Sequence, residues 1–238
     1  MKKILCLTIA LLLVLAALFS FASCTPFPAG ESDTSVEETL AAWQRTYTAG
    51  EFGIHNKNNP FVVLSFSNGD TVRLELYANV APISVANFIS YVKAGFYEGT
   101  VIHRVLKGQC IQGGGFMVKN DKILHKDPLY DEIVGEFARN GIRNDLKHTR
   151  GVISMARTNA YDSATSQFFL CAGTVSGWNG LYAAFGKVID EESMAAIERI
   201  NSVTTQNATL YYGTTPVTSS DVPSEIITIT KATLVMAD

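Results

Sequence analysis

The chain opens with Lys2 and Lys3, continues through an unbroken apolar run from Ile4 to Phe21, and places the small residues Ala22 and Ser23 before Cys24. A positive start, an apolar stretch and a small-residue end are the layout of a secretory signal. The run is also close to the length that spans a bilayer, so an uncleaved anchor stays open beside cleavage. From Thr25 to about Asn59 the composition turns to Pro, Gly, Ser, Thr and Asn, as in a spacer. Within it Ser35 and Glu38 have capping-box spacing, and Val36, Leu40, Trp43 and Tyr47 recur at helical intervals. One helix is predicted there, packed on the domain or serving a partner.

At Phe61 the pattern becomes that of strands. The run Phe61 to Phe66, then Asn68-Gly69, then the alternating Val72, Leu74 and Leu76 predict a β-hairpin. After Ala81-Pro82, the residues Val85, Phe88, Ile89 and Val92 form one apolar helical face closed by Gly95, with proline where the first turn tolerates it. Further strands are predicted at Val101 to Leu106, Val152 to Met155, Gln167 to Cys171, Ala183 to Val188 and Ile226 to Leu234. A second helix begins near Asp190, carries Glu191 and Glu192 in its first turn and presents Met194, Ile197 and Ile200. The polar stretch Ser202 to Ser224 reads as a loop. Many short strands with two helices predict a mainly β domain, a barrel or sandwich with helices over its ends. The chain thus divides into a signal over 1–23, a tether over 24–59 and one domain over 60–238.

Composition narrows the function. At 238 residues, 47% apolar and 17% charged, the chain can bury a substantial core, which rules out disorder as its main state. With 19 basic against 22 acidic side chains it has no electrostatic footprint for nucleic acid. Losing Lys2 and Lys3 with the signal takes the net charge from −3 to −5. Of the cysteines, Cys6 lies in the signal and Cys24 at its end, leaving Cys110 and Cys171 in apolar strands, as buried free thiols or as a pair. His55, His103, His125 and His148 lack metal-ligand spacing, so no metal site is expected.

Three segments combine residue types that chance seldom brings together. Val101-Ile102-His103-Arg104-Val105 runs on to Ile111-Gln112-Gly113-Gly114-Gly115-Phe116. An arginine on an apolar strand needs water or a partner, and on an alternating strand His103 points away from Arg104. A salt-bridged surface arginine and a functional one are equally consistent with this block alone. The glycine triplet does not join a strand to a helix and so is no phosphate loop. The second segment is Gly151-Val152-Ile153-Ser154-Met155-Ala156-Arg157, leading through Asp162-Ser163-Ala164-Thr165-Ser166 to Gln167-Phe168-Phe169-Leu170, and the third is Tyr182-Ala183-Ala184-Phe185-Gly186-Lys187-Val188. Ser154, Ser163 and Ser166 stand in no nucleophile-elbow context.

In this order and at these intervals, the three blocks resemble the cyclophilins, the peptidyl-prolyl cis-trans isomerases, over about Phe61 to Leu234. Met155-Ala156-Arg157-Thr158 and Tyr182 look like the bacterial branch, and Ala22-Ser23-Cys24 resembles a bacterial lipoprotein signal in which Cys24 becomes the acylated first residue. The resemblance implies a closed eight-stranded antiparallel barrel capped by two helices and no cofactor. It implies Arg104 as the catalytic arginine, Gln112 as the glutamine that helps hold it, and Phe169 as the floor of a proline pocket. His103, Gln109, Cys110, Ala156, Arg157, Gln167, Trp178 and Tyr182 are the residues expected to line the peptide groove. The expected partners are proline-containing segments of exported proteins, with a membrane tether at Cys24 and the chain acting outside the cytoplasm as a monomer.

The residue types suit that chemistry. Rotation about an X–Pro bond is slow because amide resonance imposes a barrier of about 18–20 kcal/mol. At the twisted transition state the prolyl nitrogen regains a lone pair, and a permanently charged arginine donates to it only then. The sequence departs from the family where an apolar pair, often Phe then Met, lines the pocket, since Gln109 and Cys110 stand there. A tryptophan often linked to cyclosporin binding is replaced by Gly177, which implies weak inhibition. The departures keep a second reading open, a proline-peptide binding module with little catalysis, and a third, a structural lipoprotein that presents the Ser35 to Tyr47 helix.

Overall fold

The computed structural model describes residues 59–235, so the signal, Cys24 and the Ser35 to Tyr47 helix lie outside the described residues. The first hairpin joins β1 (Phe61–Phe66) to β2 (Thr71–Leu76) through a turn in which Gly69 takes φ 86°, the left-handed conformation that glycine permits. Helix α1 (Pro82–Lys93) buries Val85, Phe88, Ile89, Tyr91 and Val92. Its first turn is satisfied from afar. Glu136, buried between the elements, accepts from the Ile83 and Ser84 backbone N–H groups at 3.0 and 2.7 Å and from Ser84 Oγ at 2.6 Å. Helix α2 (Glu191–Ser202) is capped by Asp190, whose carboxylate accepts from Ser193 N, and buries Met194, Ile197 and Ile200.

The remaining strands of the main sheet are β3 (Arg104–Leu106), β4 (Cys110–Gly113), β7 (Val152–Met155), β8 (Phe168–Cys171), β9 (Ala184–Val188) and β12 (Ile229–Val235). With β1 and β2 they form one antiparallel eight-stranded sheet in the order β12-β1-β2-β9-β7-β8-β4-β3. Val62, Leu64, Ile111, Ile153, Leu170 and Phe185 are fully buried on its inner face. Helix α1 packs against β9 and β12, and α2 against β2, β3, β4 and β9.

Two expectations are corrected. The barrel is not closed, because β3 and β12 share no ladder and the sheet is an open half-barrel. β3 is only three residues long, and the chain ahead of it, turned at Gly99, meets the first residue of β12 and the chain just before it in irregular contacts. These are Gly99 N to Ile229 O at 2.9 Å, Ile102 N to Ile227 O at 2.9 Å and Ile229 N to Thr100 O at 2.7 Å.

The stretch Ser202 to Ser224 is not a loop. It ends α2 and then forms the hairpin β10 (Thr205–Tyr212) and β11 (Thr215–Pro223). These strands join β5 (Phe116–Lys119) and β6 (Lys122–His125) in a second sheet of order β11-β10-β6-β5, with β10 parallel to β6. In this hairpin Leu210, Val222 and Pro223 are buried while most other positions face outward, so no alternation of apolar residues marked it. Leu210 and Val222 pack with Val101 and Phe116, seating the hairpin on the chain that leads into Arg104. At its base Ser224 N donates to Thr204 O at 2.8 Å.

Candidate active site

Strand register assembles the site. Arg104 on β3 lies opposite Gln112 on β4, Gln112 opposite Phe169 on β8, Phe169 opposite Ser154 on β7, and Ser154 opposite Ala184 on β9. Directly opposed residues share a face, so these five side chains form one row across the outside of the half-barrel. The adjacent row on that face holds Leu106, Cys110 and Cys171. Cys110 and Cys171 are both free thiols, and burial pushes the Cys110 thiol up to about 12.

Around Phe169 the row opens into an aromatic box. Trp178 meets the Phe169 ring edge-on at 5.0 Å, Tyr182 does so at 5.5 Å, and His148 stacks on it at 5.8 Å with the planes 22° apart. Phe169 itself is 5% exposed, with Cys110, Ala156 and Ala184 packed about it. Such a box offers apolar faces to a small ring. His148 is held by Ser154 Oγ at 3.1 Å on one ring nitrogen and by Asn179 Oδ1 at 3.3 Å on the other. Burial lowers its basicity, so it stays an uncharged wall.

Beside the box the surface is polar. Gln112 Nε2 donates to Gln167 Oε1 at 3.0 Å, and the Ala156 N–H donates to the Gln167 carbonyl at 2.9 Å. The glycine triplet serves this contact, because a Cβ on Gly115 would lie 2.3 Å from Gln167 Cγ. Arg157 borders the far end of the groove and is tied down there. Its guanidinium donates to the carbonyls of Leu181 and Thr158 and lies over the rings of Tyr182, Tyr161 and Phe137, fixing the wall that carries Tyr182. Past Gln112 and Gln167 the groove continues into a pocket of about 440 Å³ bordered by Ala156, Thr158, His125 and Tyr212.

Of the residues singled out by sequence, Arg104, Gln112, Phe169, Cys110, Ala156, Arg157, Gln167, Trp178 and Tyr182 come together here. Gln109 is exposed at the turn into β4. His103 is 3% exposed and packs at a tilt on Phe116, ring centres 4.6 Å apart, beneath the groove rather than in it, and burial lowers its pKa to about 3. Three participants escaped the sequence reading. His148 carried no motif, while Asp221 and Tyr212 lay in the stretch read as a loop. Asp221 Oδ2 stands 3.7 Å from Arg104 Nε, and Tyr212 stacks on His125 at 5.0 Å. The β-branched Thr214, Thr215, Val217 and Thr218 were the available signal for their hairpin.

An antiparallel half-barrel whose outer face sets an arginine and two amides beside an aromatic box is the architecture of a protein that receives an extended peptide and one ring of that peptide. Residues 61–234 match the family described as cyclophilin type peptidyl-prolyl cis-trans isomerase/CLD. The chain belongs to that family. It is 39% identical over 179 residues to peptidyl-prolyl cis-trans isomerase A of Dickeya dadantii, covering 73% of this chain and 84% of that protein. It is 33% identical over 183 residues to peptidyl-prolyl cis-trans isomerase B of Escherichia coli, covering 73% of this chain and 98% of that one. A crystal structure of a cyclophilin type isomerase from Cryptosporidium parvum shares the fold, with a TM-score of 0.56 at 23% identity over 76% of this chain and 99% of that one.

Proposed function

We propose that this protein is a peptidyl-prolyl cis-trans isomerase that rotates X–Pro bonds in exported polypeptides, working outside the cytoplasm from a lipid anchor on Cys24. The observation that carries the activity is the register row in which Arg104, Gln112 and Phe169 stand side by side on three neighbouring strands. In this reading the proline ring enters the box of Phe169, Trp178, Tyr182 and His148, and the peptide backbone lies along Gln112, Gln167 and Ala156. Held by its ring, the proline stays fixed while the preceding carbonyl swings. Arg104 then donates a hydrogen bond to the prolyl nitrogen, which accepts only once amide resonance is broken. A donor that engages the transition state alone contributes on the order of a hundredfold to a thousandfold in rate.

The experiment compares the full-length chain in mild detergent with Arg104→Ala on short X-Pro peptides. Catalysed exchange that falls by two to three orders of magnitude in the variant is the expected result. The binding-module reading draws on exposed Gln109 and on Cys110 in place of a larger apolar residue. It predicts peptide binding with no rate enhancement by the wild-type chain, whichever residue precedes proline.

The anchor and the exported clients rest on the signal-like residues 1–23 and on Cys24. Cys24→Ser is expected to move the protein out of the membrane fraction and to abolish incorporation of labelled fatty acid. An unchanged membrane fraction in that variant would mean an uncleaved anchor instead.

A further inference from the structure

One charged group faces Arg104 from outside the eight-stranded sheet. Asp221 Oδ2 lies 3.7 Å from Arg104 Nε, with the two side chains 35% and 45% exposed. Asp221 belongs to β11, and β11 runs against β3 without a hydrogen-bonded ladder between them. Pairing between β10 and β11 slips at this place. Gln206 opposes Val222 and Ala208 opposes Ser219, so Asn207 faces both Ser220 and Asp221. A bulge of this kind bends the strand and re-aims a side chain out of the regular alternation. Its position is fixed from below, since the next residue, Val222, is fully buried against Phe116 and Val101. The chain thus spends a break in a hairpin on turning one carboxylate toward the arginine.

The contact is on the Nε edge of the guanidinium. A carboxylate on that edge leaves the two terminal amino groups uncovered by Asp221 and narrows the orientations open to a half-exposed arginine. We propose that Asp221 is a positioning residue for Arg104, holding the guanidinium in the orientation from which it meets the prolyl nitrogen at the transition state. The proposal rests on the isomerase reading. It places the effect of Asp221 on turnover and not on peptide affinity, because Asp221 acts through a group engaged only as the bond twists.

The test measures catalysed exchange of an X-Pro peptide by NMR, and peptide affinity by titration, for the full-length wild type, Asp221→Asn, Asp221→Glu, Arg104→Ala and the double variant Asp221→Asn with Arg104→Ala. The expected result is a loss in kcat of about five- to thirtyfold for Asp221→Asn, with affinity within about twofold of wild type. Asp221→Glu should recover part of that loss, and Asp221→Asn should cost nothing further once Arg104 is alanine. The proposal is overturned by unchanged or raised turnover in Asp221→Asn, by a loss that persists in the Arg104→Ala background, or by a loss that follows affinity or melting temperature instead. If the wild type itself shows no catalysis, the isomerase reading falls, and the Arg104 side-chain Nε–H resonance still reports the pair. A shift of that resonance on Asp221→Asn upholds the orientation, and its constancy refutes it.

Discussion

Gly115 shows how a residue with no side chain serves the site. The atoms a Cβ there would strike are Gln167 Cγ, Cδ and Nε2, at 2.3 to 2.6 Å, and its φ lies outside the left-handed region. Alanine at this position therefore strains a side chain rather than the backbone. Gly115→Ala is expected to leave the fold standing, with a melting temperature within a few degrees of wild type, while displacing Gln167 from Gln112 and lowering catalysed exchange by about ten- to a hundredfold. Equal activity in the two proteins would show that the Gln112–Gln167 contact is dispensable. At this scale the sequence was readable where a residue's type is improbable for its place. Arg104 on an apolar strand and Gln112 ahead of three glycines stood out for that reason. His148 did not, because a histidine held by a serine and an asparagine at a pocket wall has the same letter as one on any surface. Gln109 and Cys110 shared one expectation, yet the strand begins between them, leaving Gln109 in the exposed turn and taking Cys110 into the packing around Phe169.

Elements whose apolar residues repeat at a regular interval were legible, and those without such a repeat were not. Helix α1 announced itself through Val85, Phe88, Ile89 and Val92, and β1 and β2 through alternation about Asn68-Gly69. The second sheet had no such mark. Strands β10 and β11 bury little, and the turn between β5 and β6 is made by Asn120 and Asp121 with φ of 51° and 57°, a left-handed pair without the glycine that marks the first hairpin. What holds this sheet is tertiary, namely Leu210 and Val222 against Val101 and Phe116, residues roughly a hundred positions apart in sequence. The same long reach satisfies the start of α1. No side chain next to Ala81 caps it, and its partner Glu136 lies some fifty residues onward.

For the molecule as a whole, the two buried histidines contribute to the response to acid. His103, whose pKa burial lowers to about 3, and His148, shifted the same way, bind a proton less readily when folded than an unfolded histidine, which titrates near 6.5. Between about pH 6.5 and pH 3 the unfolded chain therefore holds more protons, and folding stability falls as the pH falls. Above that window the contribution is present in full. Thermal unfolding at pH 7 and pH 5 should show a lower midpoint in acid, and the His103 ring should remain neutral by NMR at pH 5. Titration of the native ring near 6.5 would sink the idea. The overall architecture was legible as a mainly β domain with two helices, but not the open seam between β3 and β12, because ladder closure depends on how a three-residue strand leaves a turn.

The hydrogen bond between Thr204 and Ser224 has a bearing on how this surface can change over generations. A segment whose two feet already touch can be lengthened, trimmed or exchanged without moving the framework that carries it. The β10–β11 hairpin is in that sense a replaceable cassette. It carries Tyr212 to the rim of the groove and Asp221 to the arginine, so substitutions at its exposed positions can alter the rim or the arginine's setting while the half-barrel beneath keeps its sequence.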